Sequence, residues 1–432
     1  MNIEFYTITL WMTVIWPLLL SIPSLHSRFP WPRHLAIIPA VGLTAIPADV
    51  SFNIPWLLYG TGFAIDENVR WILGAVVVIW FAAATISSPS KEKVSSNYST
   101  TLYLLTLTGS LGVLLTTDLV GFFSFSTLMG YGFYGLLIQD GTKALQRAGR
   151  LYLYFLIVAD IALFEALLLV AFTTEHFQYD MARQTMSDIS SSPVYLYMVL
   201  IGFALKAAIW PLYFWLTAAF NSSSRAIALL LIAGPITMSL LGLLRWLPIR
   251  DDIYILGLIV QLLGAAAILH SALNFFTSGI FKQSKNRFNT AWLIISFTGL
   301  LSLALGAALQ NPTLWQQYSY IVYPVISIFS LSLSLLILTT VKTHSEPESV
   351  DNTPTLIINI FHKLKKWLHL TQQLAGDLKL KTVTLWDRTG SFVIKQYQHV
   401  SSGQKITFLV TDWKTNIILF LILGLVLTWL AI

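Results

Sequence analysis

Apolar residues gather along this chain into runs long enough to cross a bilayer, which takes about 20 residues. The runs fall near 5–25, 34–48, 69–87, 100–117, 119–138, 150–173, 193–216, 226–247, 253–281, 290–308, 321–341 and 415–431. They predict an all-α polytopic membrane protein of about 12 transmembrane helices. The second run is short and the ninth is long. The first, Phe5 to Leu25, lacks a basic leader and a small-residue cleavage site, so it reads as a retained span and not as a signal peptide. In the seventh, Pro211 removes a backbone N–H and sets its ring against the preceding turn, which predicts a broken helix.

Residues 342–414 are the one sizeable polar stretch. A Pro-interrupted polar linker runs from His344 to Pro354. After it, Leu356, Ile357, Ile360, Phe361, Leu364, Trp367, Leu368 and Leu370 recur at helical spacing, with Lys363, Lys365 and Lys366 between them. That pattern predicts an amphipathic helix along the cytoplasmic interface, as a membrane-surface anchor or as a strap against other subunits. The expected organisation is a transmembrane core over 1–341, a cytoplasmic linker with lateral helix over 342–414, and a C-terminal transmembrane anchor over 415–432.

Composition closes off other classes. Of 432 residues, 56% are apolar and only 11% charged, against about 25% charged in soluble domains. With a mean hydropathy of +0.70, the chain is no soluble enzyme, nucleic-acid binder or secreted domain. The absence of cysteine removes disulfides, thiolate metal sites, iron–sulfur clusters and Cys nucleophiles. The formal charge of +6 matters through its distribution. Loops after odd-numbered spans and the 342–414 segment hold 21 of the 26 Lys and Arg, while only Arg70, Arg183, Arg245 and Arg250 fall on the other side. The positive-inside rule then puts 342–414 in the cytoplasm and both termini outside. No phosphate loop, zinc motif, paired catalytic carboxylate or Ser/His/Asp arrangement stands out. Eight His are scattered, and none has a second metal ligand nearby. No cofactor, metal or active site of its own is expected.

Charges inside the spans carry the candidate chemistry, because each costs about 2.5–3.5 kcal/mol at mid-bilayer. Lys206 lies near the middle of span seven, five residues before Pro211. A break there frees carbonyls that are tolerated only beside a polar cavity, so Lys206 reads as a hydrated proton or cation site, or else as a snorkelling or structurally paired lysine. Asp160 and Glu165 share span six about 140° apart, so they serve different partners. Either could neutralise Lys206; Asp160 is the better placed, and Glu165 could instead be a lipid-shielded, protonated acid. His270 in span nine is a stop for a proton if water reaches it, or an interhelical hydrogen bond. Asp118 and Arg225 sit at span ends.

The stretch Phe203-Ala-Leu-Lys-Ala-Ala-Ile-Trp-Pro-Leu-Tyr-Phe-Trp-Leu216 resembles the broken seventh helix of the antiporter-like membrane subunits of respiratory complex I, membrane-bound hydrogenases and Mrp-type cation/proton antiporters. Related subunits partner inorganic-carbon-uptake complexes. Lys206, Pro211, Leu212, Trp215 and Leu216 match the family pattern, and Asn221-Ser-Ser-Ser224 stands at its polar loop. Ala148 to Asp160 is similar to the family's sixth helix, and Gly62-Phe-Ala-Ile-Asp66 to its short extracytoplasmic motif. The resemblance covers about residues 60–310.

The resemblance implies movement of protons, or Na⁺ in some members, through half-channels joined by buried Lys, Glu and His. It implies other membrane subunits as partners, with a cytoplasmic or redox subunit, in a bacterial inner membrane or a related energy-transducing membrane. Lys206 would be the central relay, with Asp160, Glu165 and His270 around it. Departures mark a shortened, partly stripped member. Where the fifth helix normally supplies a Glu, this chain has Ser126 or Thr127; Pro-Leu-His becomes Pro211-Leu212-Tyr213; and the titratable position of span eight falls near Leu231 or Thr237. Span eleven carries no charge. The competing expectations are a non-conducting scaffold and, behind it, a self-contained secondary transporter.

Overall fold

The structure is a computed structural model that describes residues 3–29, 31–46, 49–54, 57–58, 60–87, 93–174, 176–188, 192–249, 253–281 and 286–339. The predicted lateral helix and last span lie outside the described residues.

The N-terminal part runs α1 (Ile3–Leu20), α2 (Pro23–His26), α3 (Pro32–Leu35) and α4 (Ile38–Thr44), then strands β1 (Val50–Asn53) and β2 (Gly62–Ile65). The predicted second span, 34–48, is therefore no single helix. Pro32 opens α3 and Pro39 stands in the first turn of α4, each lacking the N–H that would continue a ladder. Nor is the chain wholly α-helical. β1 and β2 pair antiparallel, Val50 opposite Ile65, and Thr117 N donates to Gly62 O at 3.0 Å.

Next come α5 (Glu67–Ile86), α6 (Lys93–Leu115), α7 (Leu119–Ile138) and α8 (Lys143–Thr173). Their starts are written in the sequence. Asp66 accepts from Val69 N, Asp118 from Gly121 N and Thr142 from Leu145 N, each satisfying an orphan donor of the first turn. Asp118 also takes Gly62 N at 3.2 Å, so one carboxylate caps α7 and pins β2. A short amphipathic helix, α9 (Tyr179–Asp188), occupies what reads from sequence as a loop. Its Tyr179 ring lies under Arg245, whose guanidinium donates to the carbonyls of Val113 and Leu114 that α6 leaves unpaired at its end. Burial pushes the Tyr179 hydroxyl up to about 12, so it stays neutral there.

The rest is α10 (Ser192–Lys206), α11 (Phe214–Ser222), α12 (Arg225–Leu231), a π-helical turn Ile232–Ile236, α13 (Thr237–Trp246), α14 (Tyr254–Phe281), α15 (Asn286–Gln310), α16 (Pro312–Tyr318), a 3₁₀ turn Ser319–Ile321 and α17 (Val322–Thr339). Eight helical segments among the described residues are long and apolar enough to cross a membrane; Phe5–Leu20 and Val194–Lys206 are shorter apolar helices. Residues 207–213, between α10 and α11, are non-helical. The break spares its carbonyls. Leu205 O accepts from the Trp215 indole at 2.8 Å, and Ala204 O from Ile209 N at 2.9 Å. That internal repair is what the bilayer demands of irregular backbone.

Candidate functional site

The site is built where α7, α8 and α10 meet. Gly202 on α10 sits so close to α8 that a Cβ there would come within 2.6 Å of Leu163 Cγ. This approach brings the last residue of α10 against α8. Lys206 Nζ lies 2.6 Å from Asp160 Oδ1, and donates to Ser126 Oγ of α7 at 2.7 Å. All three residues are buried, Lys206 at 6% and Asp160 at 8% exposure. Asp160 Oδ2 has no donor among the described residues.

A cavity with room for about one water molecule adjoins the Lys206 ammonium, walled in part by Ser126, Tyr152, Trp215, Pro235 and Ser239. Pro235 belongs to the π-helical turn, and such turns are enriched at functional sites. Neither Leu231 nor Thr237, the two candidate positions of this span, is titratable: Leu231 is buried, and Thr237 donates to Ile232 O and meets Ser330 Oγ at 2.9 Å.

The candidate residues separate into three groups. Lys206, Asp160 and Ser126 are in contact. Thr127 is turned back on its own helix, donating to Phe123 O at 2.8 Å. Glu165 is exposed on the far face of α8, which leaves Asp160 as the carboxylate at Lys206. His270 stands apart from the pair. Its Nε2 is 2.8 Å from the Tyr213 hydroxyl, beside Asn274 and the Trp210 and Trp292 rings. Pro211 and Tyr213 lie in the non-helical segment, so Lys206 and the residue facing His270 flank the same break. Residue patterns alone did not reveal Tyr213 as the partner of His270; the signal was its place in the Pro-Leu-His position. Among the described residues no group of three His, Asp or Glu could hold a metal ion.

Residues 116–275, which contain every side chain of this site except Trp292 and Ser330, match the family model described as NADH:quinone oxidoreductase/Mrp antiporter, TM. A Na(+)/H(+) antiporter subunit of Alkalihalophilus pseudofirmus is 30% identical over 158 residues, covering 36% of this chain and 31% of that protein. The match thus spans about a third of the curated relative. A chain of the Mrp complex from Dietzia sp. DQ12-45-1b superposes on 81% of this chain and 81% of its own length, with a TM-score of 0.54 and 18% identity. A chain of the membrane-bound sulfane sulfur reductase, an archaeal respiratory membrane complex, superposes on 77% of this chain and 57% of its own, with a TM-score of 0.58 and 17% identity. At these identities the likeness is one of fold.

Proposed function

We propose that this chain conducts or couples protons, or Na⁺, within a larger Mrp-like or complex I-like assembly; the match of residues 116–275 to the antiporter-like family supports the reading. The observation that carries the reading is the buried Lys206–Asp160 pair beside an interrupted helix, with Ser126 as its third contact. The carboxylate at 2.6 Å stabilises the ammonium by Coulomb attraction, strong where water is scarce. As a relay, the ammonium would exchange its proton with water in the adjoining cavity as the Asp160 contact opens and closes. The pair is thus a relay with two states, distinguished by one contact. Tyr213 and His270, across the break, are the next station, a hydroxyl and an imidazole able to pass a proton along their 2.8 Å contact.

In this reading α10 and α11 are one broken seventh span of twelve, the termini face outward, and residues 342–414 lie on the cytoplasmic side against neighbouring subunits. The driving reaction belongs, in this reading, to other chains of the assembly. A second reading, a non-conducting scaffold, draws on Ser126 standing where the family has a carboxylate and on the lack of a titratable group between Arg225 and Arg245.

Substitution of Lys206 separates them, with assembly checked first by co-purification and ion movement then measured in vesicles. Lys206→Ala removes the titratable amine. Lys206→Arg keeps the charge but holds its proton too tightly to relay it. The relay requires both variants to lose coupled activity in an assembled complex. Full activity of assembled Lys206→Ala would leave the scaffold.

A further inference from the structure

Helix α8 presents its two carboxylates to different surroundings. Asp160 turns inward to Lys206. Glu165 belongs to the outward stripe of Tyr154, Ile157, Val158, Ile161, Phe164 and Phe172, and is itself exposed. At 1.5 Å per residue it stands about 22 Å beyond Arg150 and about 12 Å before Thr173, inside the span and about 5 Å past its middle. No basic side chain pairs with it among the described residues. A carboxylate facing acyl chains at that depth is costly, so membrane proteins rarely leave one there.

Among the described residues, the cations inside the spans are already engaged. Lys206 is held by Asp160, and Arg245 by helix-end carbonyls. The last predicted span, 415–431, carries no charge. A second copy would bring the same stripe and the same carboxylate, like against like.

We propose that the outer stripe of α8 is the docking surface for a helix of a different membrane subunit, one that carries a Lys or Arg at the depth of Glu165. The surface combines large apolar side chains with one unmatched charge, so its partner is apolar around a single basic residue. The inference rests on the multi-subunit reading above and adds the face and the chemistry of the contact.

The test uses the intact complex. A photoreactive benzophenone side chain replaces Ile161, one turn before Glu165, and co-purification is measured for wild type, Glu165→Gln and Glu165→Lys. The expected result is a crosslink to one other subunit, at residues flanking a Lys or Arg. Recovery of that subunit falls severalfold in Glu165→Gln, and on the order of a hundredfold in Glu165→Lys. Exchanging the partner's basic residue for Glu restores assembly with Glu165→Lys. Crosslinks to lipid or to a second copy alone, or wild-type recovery of the partner by Glu165→Gln with its backbone intact, overturn the proposal. A wild-type chain that co-purifies with no membrane subunit refutes the multi-subunit reading itself, a distinguishable outcome.

Discussion

Two regions of this chain solve the problem of packing helices in lipid in opposite ways. Where α7, α8 and α10 meet, a charge is buried and matched by a charge: Lys206 reaches Asp160 and Ser126, and Gly202 serves to bring them together. Between α14 and α15 no charge is used. A Cβ on Gly257 would come within 2.6 Å of Gly306 O, and one on Gly264 equally close to Gly299 O. Apart from the basic connection at Lys282, Lys285 and Arg287, residues 254–310 carry no charge at all. Backbone contact through small residues gives dispersion and weak Cα–H bonding at no desolvation cost, so packing alone never calls for a buried lysine. The lysine in the first region therefore has a reason beyond holding helices together. In the second region the polar groups, the Gln261–Gln310 pair and the Ser271 hydroxyl, stay neutral.

The contrast can be broken most forcefully at Asp160. Asp160→Ala strands the Lys206 ammonium and is expected to cost about 3–5 kcal/mol of stability, read as thermal unfolding of the solubilised chain. Replacing both residues by Leu should recover most of that loss. A single Asp160→Ala with little effect would mean that the ammonium has another partner. In the second region the expected effect is smaller. Gly306→Leu must push α15 off α14 and should cost about 1–3 kcal/mol, with the Lys206 site and its ion coupling retained in whatever fraction assembles. Loss of coupling there would tie the two regions together. Smallest in stability is Tyr213→Phe, which deletes the contact to His270 and should cost about 0.6 kcal/mol. If the relay continues across the break, coupled activity in Tyr213→Phe and His270→Ala falls well below what that loss accounts for. Unchanged activity in both would confine the chemistry to the first region.

Much of this was legible in the residues. Asp118 stands at the span end where α7 begins, while the caps of α5 and α8, Asp66 and Thr142, lie ahead of the expected spans near 69 and 150, because capping is local and apolar run length does not register it. Lys206 announces itself by the cost of its charge in an apolar run, and Pro211 by the donor it lacks. The 34–48 run has the apolar character of a span, yet Pro32 and Pro39 start two separate short helices there. The β1–β2 pair escaped notice because four-residue strands between spans leave no periodic signal.

What the sequence by itself determined, then, is the eight long apolar helices of the described residues and the presence of charges that need company. These follow from neighbours within a turn or from free energies of transfer, which each residue carries with it. Which company each charge keeps was decided only by tertiary structure. Helical geometry set Asp160 and Glu165 about 140° apart, but the rotation of α8 against α10, fixed where Gly202 meets Leu163 and Ala159, chose Asp160 for Lys206 and turned Glu165 outward. The same holds for Ser126 over Thr127 and for Tyr213 facing His270. Those last two contacts join residues 80 and 57 positions apart in the chain, and packing that brings them together depends on the shapes of all the surfaces at once.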